Sequence, residues 1–304
     1  MGKISKIIGE SNAKIDTIQI STALDNIYNN DYIGNFSEMF NFINKRPNIY
    51  NERANIVLQP SYYDGNYSDF YTLSEYKKRL EVMLEKINIM DNNKVNFARL
   101  DFCFDFAERF EEIYILGRIV TMLIKACKKS TTFKTIMSVD DVTGEKTHLR
   151  ADSLGFEVAW YDKEKESKGR HNYKSRLELR FKRRHREIGT ETVLLKQLLN
   201  LLKETKNKKL LGEIEIENAK RIISSVKKDN MDLTHFLKNN KDLLISKNTL
   251  KIAYKDIYKG KTDEQFENWY KNLWKIHRLK ACKWGEIEAF IDNLIKSLKI
   301  FIKN

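Results

Sequence analysis

Three stretches of the chain place acids, bases and one tyrosine at a spacing of two. In Phe97 to Phe106 (FARLDFCFDF), Leu100, Phe102, Phe104 and Phe106 alternate with Asp101, Cys103 and Asp105. In Phe156 to Lys163 (FEVAWYDK), Phe156, Val158 and Trp160 alternate with Glu157, Ala159, Tyr161 and Lys163. In Ser175 to Lys182 (SRLELRFK), Leu177, Leu179 and Phe181 alternate with Arg176, Glu178, Arg180 and Lys182. Successive strand side chains point to opposite faces. If the apolar sides cover one core, one open face gathers Asp101, Asp105, Tyr161, Lys163, Glu178 and several arginines. A tyrosine beside a carboxylate, flanked by arginine and lysine, is suited to phosphoryl transfer. A solvated, ion-paired sheet face carries the same pattern, and on parity alone that plainer reading is the commoner one. Against it stand two aspartates inside one strand with no turn signal between them. At ~3.3 Å per residue they are ~13 Å apart, too far for one metal ion to use both directly.

The elements that must position these groups follow from hydrophobic period. A first strand is expected at Lys14 to Ser21 and a second near Asn55 to Leu58, ended by Pro60. The tyrosine-rich Tyr62 to Tyr71 reads as a loop. Thr72-Leu-Ser-Glu75 fits a capping box opening a helix with Leu73, Tyr76, Leu80, Leu84 and Ile87 on one side. After FARLDFCFDF come a helix over about Glu111 to Lys129 and a strand at Phe133 to Val139. The last two strands should form a hairpin. A turn centred between Gly169 and Arg170 pairs Trp160 with Leu179 and Tyr161 with Glu178, and a slip of one pair puts Arg176 or Arg180 opposite Tyr161. From Thr190 onward the pattern is helical, ending with Ala281 to Ile302. The fold expected is α+β: a largely antiparallel sheet with helices packed on one face over 1–189, followed by an all-helical region over 190–304.

Composition narrows the function classes. The 304 residues carry 55 Lys+Arg against 42 Asp+Glu, a formal charge of +13, which suggests an anionic partner, nucleic acid being the commonest. Lys-, Asn- and Ile-rich genomes also encode basic chains, so the charge alone decides nothing. Two prolines and no Gly/Ser tract exclude a collagenous or linker-rich protein. Three dispersed cysteines (Cys103, Cys127, Cys282) make neither a disulfide framework nor a metal clip, which fits a reducing cytoplasm. No stretch approaches the ~20 apolar residues of a membrane helix, and the first residues do not form a signal peptide. A soluble, cytoplasmic protein is expected.

The blocks Arg99 to Phe106 (RLDFCFDF), Trp160 to Glu166 (WYDKEKE) and Arg176 to Lys182 (RLELRFK) resemble the Rep_trans replication initiation factors, the RepC/RepD-type initiators of rolling-circle plasmids. That family has an Arg-hydrophobic-Asp strand with a second Asp four residues later. A Tyr-Asp/Asn-Lys segment with a Glu five residues after the Tyr follows, and then an Arg-hydrophobic-Glu strand. Asp152-Ser153 matches a further pair just upstream of the tyrosine block. The likeness covers about Ile15 to Arg186, and its ordered set of blocks is more specific than any one of them.

The resemblance implies a site-specific DNA nicking and joining enzyme acting at a replication origin. Tyr161 would be the nucleophile, forming a 5′-phosphotyrosyl link and freeing a 3′-OH, with Lys163 assisting. It implies a divalent ion, a homodimer, origin recognition mainly through C-terminal residues, and a host helicase and polymerase as partners. A free tyrosine has a pKa near ~10, so about one in a thousand is phenolate at pH 7. A cation on the phosphate together with Lys163 and an arginine would stabilise the phenolate and the transition state. Carboxylate ligands select Mg²⁺ or Mn²⁺. Asp101, Glu166 and Glu178 match the family's recurring acids; Asp105 matches too, but its distance from Asp101 suits it to positioning a base or an arginine. His148, His171, His185, His235 and His277 supply no His-hydrophobic-His clamp, so the chain departs from the other nicking architecture.

Arg99, Arg176, Arg180, Lys182, Arg183 and Arg184 are the candidate DNA contacts, since basic residues interleaved with Tyr173, His171 and Phe181 suit a phosphate track. A solvated basic hairpin is the alternative. Tyr62, Tyr63, Tyr67 and Tyr71 have the chemistry to stack on unpaired bases, but a packed loop explains them better. Phe266, Trp269, Tyr270, Leu273 and Trp274 form a helical stripe that suits core packing or a dimer face. Competing functions are a relaxase of a conjugative element, a non-catalytic DNA-binding copy-control protein, and a metal nuclease that uses water and would still cleave as Tyr161→Phe.

Overall fold

The structure is a computed structural model and describes residues 11–43, 45–63, 66–68, 71–128, 134–139, 146–153, 155–168, 172–240, 246–277 and 281–303. Its strands are β1 (Asn12–Ala23), β2 (Asn48–Tyr50), β3 (Arg53–Leu58), β4 (Tyr62–Tyr63), β5 (Asn66–Tyr67), β6 (Asn96–Phe106), β7 (Lys134–Val139), β8 (Lys146–Ser153), β9 (Phe156–Asp162) and β10 (Ser175–Glu187). Its helices are α1 (Phe36–Met39), α2 (Leu73–Lys86), α3 (Phe110–Cys127), α4 (Lys163–Glu166), α5 (Glu191–Glu204), α6 (Lys208–Lys228), α7 (Leu233–Asn239), α8 (Lys247–Ile257), α9 (Asp263–His277) and α10 (Trp284–Lys303). Among the described residues eight strands join in the order β2-β3-β1-β6-β10-β9-β8-β7, every neighbouring pair antiparallel. β4 and β5 form a separate hairpin. The fold is the expected one, an antiparallel sheet followed by helices.

Period two sets the sheet's two faces. Leu100, Phe102, Phe104, Leu177, Leu179 and Val158 are fully buried, and side chains of this kind contribute ~1.5–3 kcal/mol each when removed from water. Trp160 stacks on Phe106 at 5.6 Å. Phe301, near the end of α10, meets Phe102 edge-on at 5.5 Å and Tyr71 at 6.2 Å. The opposite face carries the charges, because β6 and β10 pair Arg176 with Asp105 and Arg180 with Asp101. The capping box of α2 is complete: Glu75 N donates to Thr72 Oγ1, and Thr72 N donates to the Glu75 carboxylate.

Four features differ from the sequence reading. β9 and β10 pair Arg176 with Tyr161 and Trp160 with Leu177, the register slipped by one pair from the preferred one and one of the two slips left open. The connection begins with α4, whose first turn is capped by Asp162, and Lys168 follows it in a left-handed conformation (φ 54°). That helical turn uses residues that a tight hairpin would leave in the strands. β8 was not foreseen, nor was the β4–β5 hairpin inside the tyrosine-rich segment. β1 carries a bulge at Asp16, between the pairs Ile15/Phe102 and Thr17/Asp101. A bulge inserts one residue and re-aims side chains, so Lys14, Asp16 and Thr17 all serve the charged side while Ile15 and Ile18 stay buried in the core.

Among the described residues two compact units can be drawn, one over 11–110, 134–202 and 293–303 and the other over 111–128 and 203–292. The sheet unit therefore keeps most of α5 and the last turns of α10, while nearly all of α3 belongs to the helical unit. The helical unit has its own core, with Phe266, Leu250, Leu237, Ile222 and Leu273 buried and Trp269 and Tyr270 packed against them. Trp274 is 43% exposed, which ends the expected stripe one residue early. No helix among the described residues is long and apolar enough to cross a membrane.

Candidate nucleotidyl-transfer site

β6, β10, β9 and β8 lie side by side, and their charged faces form one continuous network. At its centre Arg176 is 1% exposed. Its Nε and Nη2 fork onto the Asp105 carboxylate, with Nη2 to Oδ2 at 3.0 Å, and Nη2 also donates to the Tyr67 hydroxyl. Its Nη1 is 3.0 Å from Asp16 Oδ2 as an ion pair without an aligned hydrogen bond. Lys14, fully buried, completes the group 3.0 Å from Asp105, with its ammonium 4.3 Å from the centre of the Tyr67 ring. Ser61 Oγ donates to Asp16 Oδ1 at 2.8 Å. Burial alone would raise Asp16 and Asp105; Arg176 and Lys14 outweigh it and hold both carboxyls below the ordinary range.

Tyr161 is 8% exposed, and its hydroxyl donates to Glu178 Oε1. Glu178 Oε2 is oriented by Arg180 Nε at 2.8 Å, and its Oε1 is 3.6 Å from Arg176 Nη1. Lys163 is 5.7 Å from the centre of the Tyr161 ring and 2.6 Å from Glu166. Burial, reinforced by the Glu178 charge, pushes the phenol well above its ordinary value. The resting state is therefore the phenol, its hydroxyl facing a carboxylate able to accept a proton. His148, opposite Tyr161 across β8 and β9, lies parallel to the phenol ring, the planes 11° apart and the centres 5.7 Å apart.

A third group lies toward the β8 side. Glu157 receives Arg180 at 2.6 Å, Lys182 at 2.6 Å and Arg150 at 2.9 Å, and Asp152 pairs with Lys182 at 2.8 Å. Asp101 is held by Arg99, with Nε to Oδ1 at 2.7 Å, and stands 3.6 Å from Arg180. Burial pushes the Asp101 carboxyl up to about 6 in spite of Arg99.

The structure thus brings Tyr161, Lys163, Glu178, Asp101, Asp105, Arg176 and Arg180 onto one face. It does not bring the four acids expected to bind metal into one donor set. Asp105 positions an arginine, one of the roles considered for it. Asp101 and Glu178 share Arg180, and Glu166 stands at the rim, its side chain 55% exposed and bonded to Lys163. Among the described residues no three of His, Cys, Asp and Glu gather closely enough to hold an ion. As placed, these carboxylates neutralise Lys and Arg and do not fit a divalent metal, so no chemical step is assigned to one.

Of the expected DNA contacts one needs correction. Arg176 is buried inside the network and is not a surface contact. Arg99, Arg180 and Lys182 are partly exposed, their side chains 34%, 20% and 24% accessible, and each is ion-paired. The side chains of Arg183 and Arg184 lie outside the described residues. Sequence reasoning missed Lys14, Asp16, Tyr67 and His148. The first two depend on a bulge with no sequence signature, and Tyr67 arrives from a separate hairpin. His148 was legible in principle, from the parity of a β8 strand that was not recognised.

No protein-family model and no curated protein matches this chain. Among solved structures it is similar to a rolling circle replication initiator protein from Geobacillus stearothermophilus, with 15% identity over 64% of this chain and 85% of that one, at a TM-score of 0.31. A superposition that loose carries no argument about the site.

Proposed function

We propose that this chain is a DNA nicking and joining protein that initiates rolling-circle replication, with Tyr161 as its nucleophile. The observation that carries this reading is the Tyr161 hydroxyl bonded to Glu178 beneath Lys163, in a face rich in guanidinium groups. The ordered Asp, Tyr and Glu blocks of the sequence support it. In the nicking step Tyr161 Oη forms a bond to phosphorus, its proton passes to Glu178, and the bond from phosphorus to the 3′-oxygen breaks. Lys163 and Arg180 stand where their charge offsets that building on the phosphoryl oxygens. Because Tyr161 is covered at rest, DNA must displace what covers it. A conjugative relaxase would use the same chemistry at a transfer origin. A second copy of the chain, a host helicase and a polymerase are the partners this reading implies, and Mg²⁺ or Mn²⁺ the ion, which Asp101, Glu166, Glu178 and Asp105 could hold only by leaving their lysine and arginine partners.

A second reading has its own support. Asp101, Asp105, Glu166 and Glu178 each neutralise a lysine or arginine, which suits a DNA-binding regulator that kept the fold without the chemistry. Supercoiled DNA carrying the gene and its flanking sequence separates the two. The nicking reading expects relaxed and open-circular products from the wild type, and from Tyr161→Phe specific binding without cleavage. Specific binding with no cleavage by the wild type, tested with and without Mn²⁺, would leave only the regulator.

A further inference from the structure

The nicking step leaves one proton without a carrier. Glu178 accounts for the proton of Tyr161, but the departing 3′-oxygen also needs one, and the 3′-hydroxyl must lose it again when the strand is rejoined. His148 is the described side chain placed for that task. It faces Tyr161 directly in the β8–β9 register, with its ring parallel to the phenol and 5.7 Å away. Its Nε2 is buried and has no hydrogen-bond partner. A buried polar atom left unpaired is costly, and nothing in the resting network removes that cost. The charged groups facing the imidazole are Arg180, Glu178, Arg150 and Glu157. Burial, helped by the two guanidinium groups, holds its pKa below the ordinary value. Near neutral pH it therefore rests as the neutral ring, with one N–H and one free lone pair.

Resting on the nicking reading, we propose that His148 is a catalytic residue that serves the 3′-oxygen. In nicking, the bond from Tyr161 Oη to phosphorus forms as the phenol proton passes to Glu178. The bond from phosphorus to the 3′-oxygen breaks, and that oxygen takes a proton from His148, whose neutral ring has first gained one from solvent as the negative charge of the bound phosphodiester favours the imidazolium. In joining, the neutral imidazole removes the proton of the attacking 3′-hydroxyl while protonated Glu178 returns its proton to the leaving phenolate. In-line displacement puts the attacking and leaving oxygens on opposite sides of phosphorus. Two separate proton carriers are then needed, and this face supplies a carboxylate on the phenol and an imidazole beside it.

The test is single-turnover nicking of an oligonucleotide containing the mapped nick site. One version has the natural 3′-oxygen at the scissile bond and the other a bridging 3′-sulfur, which leaves as a thiolate without needing a proton. His148→Gln and His148→Asn should slow cleavage of the oxygen substrate by ~10²-fold, the usual scale of a general acid, and cleave the sulfur substrate at the wild-type rate. That rescued rate also shows that the variants are folded. Equal slowing on both substrates by both variants, with melting temperatures unchanged, would overturn the proposal, as would full-speed cleavage of the oxygen substrate. A wild-type chain that forms no adduct with either substrate would instead overturn the nicking reading, and this proposal with it.

Discussion

Two neighbouring parts of the charged face are finished to different degrees. Around Arg176, buried charges meet opposite charges: Asp105 and Asp16 on the guanidinium, Lys14 on Asp105, and the Tyr67 hydroxyl closing one side. Around Tyr161 the arrangement is left open. A phenol faces a carboxylate able to take its proton, an imidazole nitrogen has no partner, and Glu166 reaches solvent from the Lys163 pair. Both parts have the same composition of acids, bases and tyrosines. Composition therefore does not separate scaffold from chemistry, whereas charge pairing does: Arg176 Nη1 also lacks an aligned hydrogen bond but lies 3.0 Å from the Asp16 carboxylate, while His148 Nε2 has neither. A buried ion network of the first kind holds strands in register and is strongly disrupted when one member is removed. A group of the second kind has hydrogen-bonding capacity left for a substrate once its cover is displaced.

Substitutions should divide along that line. The largest effect belongs to Tyr161→Phe, which should abolish the covalent DNA adduct, read as a shifted band in denaturing electrophoresis. It should cost only about 1 kcal/mol of stability, the worth of one hydrogen bond whose acceptor keeps Arg180. Arg176→Met should do the opposite. It leaves Asp105 and Asp16 buried without their main counter-charge, so a loss of ~3–5 kcal/mol is expected in chemical denaturation. If Arg176→Met folds normally, the scaffold half of the comparison fails. Glu178→Gln should slow adduct formation by ~10²-fold or more while origin binding persists, because the amide cannot take the phenol proton.

The smallest effect is a pH dependence with opposite signs within the face. Asp16 and Asp105 are held below their ordinary pKa, so their contribution to stability is present above ~4 and is lost as pH falls further. Asp101 is held up at about 6, so its carboxyl destabilises the fold when ionised and is relieved as pH falls through 6. Between pH 7 and pH 5 the wild type should gain about 1 kcal/mol relative to Asp101→Asn, measured as the difference in denaturation free energy. No change in that difference would show that Asp101 is not strained by its burial.

How much of this was legible beforehand depended on the range of the interaction involved. The parity of FARLDFCFDF, FEVAWYDK and SRLELRFK placed Asp101, Asp105, Tyr161 and Glu178 on one side because side-chain direction in a strand is a local property. The Thr72 to Glu75 cap was local too. The opposition of Tyr161 and Arg176 was open only as the one-pair slip, because the short helix α4 takes up residues that a tight hairpin would leave in the strands. The bulge at Asp16 has no composition of its own and becomes visible only when β1 pairs with β6. Phe301 packs on Phe102 across about two thirds of the chain, a contact that no local pattern shows. Metal ligation was expected from a match to a family's recurring acids and from their residue type. Residue type could not show that each of those acids had already found a lysine or arginine.

The most direct test of the central claim is to locate the DNA attachment point. Wild-type protein is incubated with the cleavable origin duplex, digested with nuclease and trypsin, and the nucleotide-bearing peptide is sequenced by mass spectrometry. The account predicts the modification on Tyr161, within the segment between Trp160 and Lys163. Attachment at Tyr67, or strand cleavage that leaves no tyrosine modified, would contradict it.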